Sequence, residues 1–195
     1  MKYDVILAGV GGQGVLSVAS IIAHAALSEG LAVRQSEVHG MAQRGGAVLA
    51  HLRLSDKKIA GDLVPKGGAD LIISMEPLES LRYVSWMNTN GALVTASEPF
   101  VNIGDYPDIN KIISTIKQLP RMRLVEAGAL AKEAGLAKAV NTVMVGAASC
   151  FLPLKTESLE KTIADVFSKK DSSVSQANAK AYLLGQKSAK IGKEK

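Results

Sequence analysis

A glycine-rich segment near the amino terminus could bind an anion. It reads Gly9-Val10-Gly11-Gly12-Gln13-Gly14, directly after a short apolar run and just before a helical pattern. In dinucleotide-binding proteins the first glycine of such a GxGxxG pattern permits a tight turn and the second lets a ligand approach. The third lets the helix pack on the strand, and the helix N-terminus attracts phosphate. The same glycines also suit a loop that packs against a partner, and Gln13 could donate to a ligand or to a partner's backbone.

A second polar segment follows the second predicted strand. It contains Glu37, His39, Gln43 and Arg44, in an otherwise apolar half of the chain. An arginine can pair bidentately with a carboxylate or phosphate, and a histidine can move a proton near neutral pH. We therefore take His39 and Arg44 as candidate catalytic residues, and Glu37 and Gln43 as candidate binding residues. The alternative is an internal network in which Glu37 pairs with Arg44 and orders the loop.

The spacing of Glu37 raises the hypothesis of a nicotinamide dinucleotide site. This residue lies 23 positions after Gly14, about where a dinucleotide enzyme places its ribose-binding acid. No hydride-transfer constellation accompanies it, because the chain has no Tyr-x-x-x-Lys pair. The glycine loop alone is weak support, so we expect NAD to bind weakly or not at all.

The composition excludes several kinds of site. Cys150 is the only cysteine, and one thiol cannot hold an iron–sulfur cluster or a cysteine-rich zinc site. The histidines, His24, His39 and His51, lack metal-ligand spacing, so we expect no metal on this chain. We expect His24 to be a core or interface residue, and Arg53 to be a salt-bridge partner rather than a catalyst. Aromatic residues make up only 4%, which argues against nucleic-acid binding by base stacking.

The uncharged stretch between Val5 and Ser28 does not predict a membrane span. Its glycine cluster interrupts the apolar run, whereas a spanning helix needs about 20 predominantly apolar residues. The sequence therefore predicts a cytoplasmic protein with no membrane partner.

Hydrophobic periodicity predicts the elements that position these residues. Short apolar runs alternate with helical patterns over the first two-thirds, and the last third is all helix. The predicted strands are 3–8, 31–36, 47–54, 69–75, 92–96 and 123–126, with an Asn90-Gly91 turn before the fifth. The predicted helices are 14–30, 76–86, 108–117, 127–135, 140–152, 156–168 and 173–190. This order predicts a Rossmann-like α/β fold, with a mostly parallel sheet, helices on both faces and a helical C-terminal third.

The length of 195 residues suits one domain, which we place at 1–190. Four lysines lie in the last nine residues and account for most of the net charge of +5. We interpret residues 191–195 as a basic, solvated tail rather than as a nucleic-acid surface.

Three segments together carry a resemblance to a known family. They are the opening GVGGQG, then Glu37-Val38-His39-Gly40-Met41-Ala42-Gln43-Arg44-Gly45-Gly46, and later Gly68-Ala69-Asp70-Leu71-Ile72 with Met75-Glu76-Pro77. In this order and spacing they resemble the gamma-type domain of the 2-oxoacid:ferredoxin oxidoreductases. The resemblance is strongest to members that act on arylpyruvates such as indolepyruvate.

The resemblance implies a subunit rather than a complete enzyme. A large alpha subunit would bind thiamine diphosphate and magnesium and carry the iron–sulfur clusters. The complex would oxidatively decarboxylate the 2-oxoacid, transfer the acyl group to coenzyme A and reduce ferredoxin. The glycine loop then has two open roles, as a site for the phosphates of coenzyme A or as a contact with the large subunit. The other open possibilities are a gamma subunit for pyruvate, 2-oxoglutarate or branched-chain oxoacids, and a stand-alone dinucleotide-binding module.

Overall fold

The computed structural model describes residues 1–39, 45–101 and 103–191. Within these ranges six strands form one sheet, in the order β2-β3-β1-β4-β5-β6. Their bounds are β1 Lys2–Val10, β2 Ala32–His39, β3 Ala47–Ser55, β4 Ala69–Ser74, β5 Met87–Ala96 and β6 Met122–Val125. β3 pairs antiparallel with both β1 and β2, whereas β1, β4, β5 and β6 pair in parallel. The predicted, mostly parallel sheet is confirmed.

In the described part of the chain, seven α-helices cover the sheet. They are α1 Val15–Ser28, α2 Pro77–Arg82, α3 Ile109–Lys117, α4 Ala127–Glu133, α5 Val140–Ser149, α6 Thr156–Phe167 and α7 Ser172–Ile191. One core contains buried side chains from α1 and from α4 to α7, and a smaller core on the opposite face contains Ile112 and Ile116 of α3. Alternate residues of β1 belong to the two cores, with Val5 and Leu7 in one and Ile6 in the other. Both the two-faced arrangement and the helical C-terminal third are as predicted.

Two glycines allow the helices of the C-terminal third to pack backbone against backbone. A methyl group on Gly146 of α5 would overlap the carbonyl oxygen of Tyr182, and one on Gly185 of α7 would overlap that of Val143. Tight packing of the fifth helix therefore takes place within the chain. α7 continues to Ile191, and the rest of the expected basic tail, from residue 192, lies outside the described residues.

The predicted Asn90-Gly91 turn is wrong. β5 already begins at Met87, which pairs with Ala69, and Ala92 pairs with Leu71, so β5 has three extra residues between these two pairs. The Asn88 side chain accepts a hydrogen bond of 2.9 Å from the Asn90 N–H, which supports this bulge locally. Asparagine and glycine therefore mark an irregularity within the strand rather than its start.

Candidate functional site

The segments singled out in the sequence meet at one edge of the sheet. The glycine loop begins in the last two residues of β1, Met75 and Glu76 follow the end of β4, and residues 45–46 lead into β3. Val10, at the end of β1, pairs with Ala47, at the start of β3, and Ala8 pairs with Ser74. Ligands of open α/β sheets bind at the carboxyl ends of the strands, and this is that edge.

The first half of the glycine loop packs against its own chain. The Gly11 N–H donates to the Gly46 carbonyl over 2.8 Å, and the Gly45 N–H donates back to the Gly11 carbonyl over 3.3 Å. Gly11 is buried, whereas Gly12 is exposed. The segment before β3 therefore lies where a ligand would have approached the second glycine, and the exposed part of the loop begins at Gly12.

The Gln13 side chain connects this loop to the neighbouring strand by hydrogen bonds. Its Oε1 accepts a hydrogen bond of 2.8 Å from the Val10 N–H, and its Nε2 donates over 3.1 Å to the Met75 carbonyl. We expected this amide to donate to a ligand or to a partner's backbone, and the structure instead places it in contacts within the chain.

The other two glycines of the pattern have exchanged their expected roles. A methyl group on Gly9 would lie 2.8 Å from Val15 Cγ2 and 3.1 Å from Met75 Cβ, so the first glycine permits the close packing of helix on strand. Gly14 has a φ of 78°, in the left-handed region that glycine tolerates, and a methyl group there would overlap the Asn141 side chain. The third glycine therefore brings the start of α1 against the start of α5.

Two clefts flank the exposed part of the loop. One, of about 330 Å³, is mostly apolar and is lined by Val10, Gly11, Gly12, Gly14, Val15, Leu16 and Val48. The other, of about 460 Å³, is lined by Gly12, Gln13, Gly14, Met75, Lys138, Val140 and Asn141. Within the described part of the chain, no side chain caps the N-terminus of α1. The second cleft thus combines a helix N-terminus with a lysine and an amide, which is suitable chemistry for an anion.

The structure places the polar segment beside this edge but describes only part of it. Glu37 and His39 lie in the last three residues of β2, where His39 pairs with Val48 of β3. Gln43 and Arg44 lie outside the described residues, as does any pairing of Arg44 with Glu37. Because β3 lies between β1 and β2, Glu37 is two strands from the glycine loop, about 10 Å in the sheet. In the dinucleotide fold the strand bearing the ribose-binding acid lies next to the first strand.

Glu76 is a buried carboxylate at the same edge that the sequence did not single out as functional. It is only 1% exposed. Its Oε2 accepts from the Glu79 N–H over 2.8 Å and caps α2, while its Oε1 accepts from the Phe100 N–H over 3.4 Å and from the Tyr106 hydroxyl. Burial, followed by the hydrogen bond to this carboxylate, raises the pKa of Tyr106. The sequence Glu76-Pro77 could have indicated that Glu76 caps a helix, because proline favours the first position of a helix.

Arg53 and the remaining histidines lie away from this edge. The Arg53 guanidinium pairs with the buried Asp4 carboxylate, with Nε–Oδ1 at 2.8 Å and Nη2–Oδ2 at 3.2 Å, so the predicted salt bridge is confirmed. His51 is buried, and its ring stacks edge-on against Trp86 with centroids 5.2 Å apart. His24 is exposed on α1 and hydrogen-bonds the Ser20 carbonyl over 2.7 Å, so of the two predicted placements the core is wrong and the interface stays a prediction.

Across residues 1–39, 45–101 and 103–191, no group of three or more His, Cys, Asp or Glu side chains could hold a metal ion. Over the same ranges, no helix is both long enough and apolar enough to cross a lipid bilayer.

The sheet order and the loop at its carboxyl edge define a doubly wound α/β domain of Rossmann-like type. A family model described as pyruvate ferredoxin/flavodoxin oxidoreductase matches residues 4–188, and the chain belongs to this family. A relative from Archaeoglobus fulgidus named indolepyruvate oxidoreductase subunit IorB is 37% identical, over 99% of this chain and 98% of the relative. A relative of the same name from Pyrococcus horikoshii is 36% identical, over 97% of this chain and 96% of the relative.

A solved structure shares the fold. It is the gamma subunit of a keto/oxoacid ferredoxin oxidoreductase from Geobacter sulfurreducens PCA, with a TM-score of 0.71 and 23% identity. The match covers 97% of this chain and 99% of the solved one, so the shared fold extends over almost the full length of both.

Proposed function

We propose that this chain is the small subunit of a thiamine diphosphate-dependent 2-oxoacid:ferredoxin oxidoreductase, acting in the cytoplasm on an arylpyruvate such as indolepyruvate. The observation that carries the proposal is the 37% identity, over almost the full length of both chains, to a relative named indolepyruvate oxidoreductase subunit IorB. Residues 1–190 would act as a single domain. We propose neither nucleic acid nor membrane as a partner.

The proposed division of labour follows from the side chains of this chain. A single cysteine cannot ligate an iron–sulfur cluster. The large alpha subunit would therefore hold thiamine diphosphate, magnesium and the clusters, and would pass two electrons to ferredoxin as the acyl group is transferred to coenzyme A. On this account the isolated small subunit has no turnover.

Coenzyme A would touch this chain at the cleft between the glycine loop and the start of α5. The exposed Gly12 leaves backbone accessible, and the first-turn N–H groups of α1 carry partial positive charge. Lys138 and Asn141 line the same cleft and supply a fixed charge and an amide donor. These donors fit a phosphate of coenzyme A. Gln13, which holds the loop in place, would be a positioning residue.

The polar segment that begins in the last residues of β2 would face the junction with the large subunit. Arg44 would supply positive charge to a carboxylate or phosphate there, and His39 would exchange a proton, with Glu37 and Gln43 assisting in binding. The position supports this role, because Glu37 and His39 lie at the end of β2 at the carboxyl edge, and Gln43 and Arg44 come between β2 and β3 in the sequence.

The identity of the oxoacid is tested on the complex of this chain with its large partner. We expect kcat/KM for indolepyruvate to exceed the values for pyruvate, 2-oxoglutarate and branched-chain oxoacids. A higher value for one of these would favour the alternative, a gamma subunit of the corresponding enzyme.

A stand-alone dinucleotide-binding module is the remaining alternative, and the sheet order argues against it. β3 separates Glu37 from the glycine loop, and residues 45–46 bond to Gly11. Calorimetry with NAD should therefore show no binding at micromolar concentration. Micromolar affinity would restore the module hypothesis.

A further inference from the structure

The loop between β5 and α3 exposes three large apolar side chains. Phe100 is 43% exposed, Val101 is 67% exposed and Ile103 is 44% exposed. We call these three residues the apolar loop patch. Single exposed apolar residues are ordinary, but three within four positions concentrate unfavourable hydration on one short segment.

Buried and capping contacts hold this loop on both sides of the patch. The buried Glu76 carboxylate accepts from the Phe100 N–H and from the Tyr106 hydroxyl, which lie on either side of Val101 and Ile103. Before the patch, Glu98 Oε1 accepts a hydrogen bond of 2.8 Å from the Gly128 N–H at the start of α4. The loop is thereby fixed to two helices, and a fixed loop loses less conformational entropy on binding than a free one.

The chain segment that contains the patch is acidic. Residues 97–110 contain Glu98, Asp105 and Asp108 and no lysine, arginine or histidine, although the whole chain has a net charge of +5. A complementary surface would therefore be apolar at its centre and bear lysine or arginine around it.

We propose that the apolar loop patch docks into an apolar pocket, rimmed by lysine or arginine, on the large cofactor-carrying subunit. This inference rests on the proposed function, which supplies that partner. Its location supports the choice of partner, because the loop leaves β5 at the same carboxyl edge as the glycine loop. The proposed coenzyme A cleft and the patch would then face the same subunit.

The test compares two substitutions by serine in the full chain, one of a valine in the patch and one of a leucine outside it. Val101→Ser removes the most exposed member of the patch. Leu63→Ser is the matched control, because Leu63 is 58% exposed but lies away from the carboxyl edge. Its carbonyl accepts a hydrogen bond from Arg53, which pairs with Asp4 near the amino end of β1. Affinity for the purified large subunit is measured by calorimetry, and thermal unfolding of each isolated variant reports folding.

We expect Val101→Ser to raise the Kd for the large subunit about 10- to 30-fold, as for a residue buried at the centre of an interface. Leu63→Ser should leave the Kd unchanged. Asp105→Lys should weaken assembly at low salt and less so at high salt, because screening reduces charge repulsion.

Equal Kd values for Val101→Ser and the wild type would overturn the inference. A wild-type chain that self-associates, and loses this association in Val101→Ser, would also overturn it by assigning the patch to a second copy. Failure of the proposed function has a different signature, namely a wild-type complex that assembles but does not oxidise any 2-oxoacid. If the wild type does not bind the large subunit at all, both are wrong.

Discussion

The side chain of Gln13 joins the glycine loop to the end of the adjacent parallel strand. Its Nε2 donates to the Met75 carbonyl over 3.1 Å, while its Oε1 accepts from the Val10 N–H over 2.8 Å. One of the contacts that hold the loop therefore joins two of the three segments that carry the family resemblance. What the loop offers to a ligand begins beyond this contact, at Gly12.

Replacing Gln13 should therefore affect stability. Gln13→Ala removes two hydrogen bonds at a half-buried site and should lower the free energy of unfolding by about 1–3 kcal/mol. Gln35→Ala is the control, because Gln35 is an exposed glutamine on β2. Denaturant unfolding of the two variants measures the difference. An unchanged stability together with a raised KM for coenzyme A would instead make Gln13 a direct ligand of the substrate.

Breaking the pair of Arg53 and Asp4 should reduce stability because it disturbs a buried charge. Arg53→Met removes the bidentate partner of the Asp4 carboxylate, which is 0% exposed and keeps a pair with Lys2 Nζ at 2.9 Å, and should lower the free energy of unfolding by about 3 kcal/mol. Arg34→Met is the matched control, since the Arg34–Asp62 pair is exposed and should contribute at most about 1 kcal/mol. Because Arg53 is structural, turnover per assembled complex should be normal in both variants. Lost turnover in a fully assembled Arg53→Met complex would give Arg53 a functional role.

His51 should make stability depend on pH. Burial, and then the nearby Arg53 charge, lower the pKa of His51 below its ordinary value of 6.5. The unfolded chain then binds the proton more readily than the folded chain, so stability is highest above pH 6.5 and falls as the pH drops below it. Between pH 7.5 and pH 5.5 the wild type should lose more unfolding free energy than His51→Asn. Identical losses in the two proteins would show that His51 does not contribute.

Replacing Arg44 tests the role of the polar segment that begins in the last residues of β2. Arg44→Lys keeps the charge and loses the planar fork, so a bidentate contact should weaken by about 1.5–3 kcal/mol, or about 10- to 100-fold. As a functional residue it should give a folded, assembled complex with reduced turnover or a raised KM for the oxoacid or coenzyme A.

The internal-network alternative predicts the opposite pattern for the same variant. If Arg44 only orders its loop through Glu37, Arg44→Lys should lower the Tm or weaken assembly, and turnover per complex should stay normal. Measuring activity per assembled complex beside thermal unfolding of the isolated subunit separates the two.

Hydrophobic periodicity was sufficient for most elements, because apolar faces repeat along the chain. The predicted strand 3–8 lies within β1, and the predicted helix 14–30 extends one or two residues beyond each end of α1. Periodicity carries no information about strand direction, so β3, antiparallel between β1 and β2, could not be foreseen. That single strand is what separates Glu37 from the glycine loop.

The sequence predicted the position of the glycine loop but not the contacts that its residues make. The glycine pattern predicted a loop between the first strand and the first helix, as observed. The exchanged roles of Gly9 and Gly14 depend on Val15, Met75 and Asn141, which come from different elements. The hydrogen bonds of Glu76 to Phe100 and Tyr106 also span more than 20 residues. Contacts of this kind arise only when the chain folds.

The most direct test of the proposed function is ferredoxin reduction by indolepyruvate and coenzyme A, measured with this chain alone, with the purified large partner alone and with the two combined. We expect turnover from the combined subunits and none from this chain alone, which has one cysteine and cannot hold a cluster. Turnover by the isolated chain, or a combined sample no more active than the large partner alone, would contradict the assignment of this chain as the small subunit.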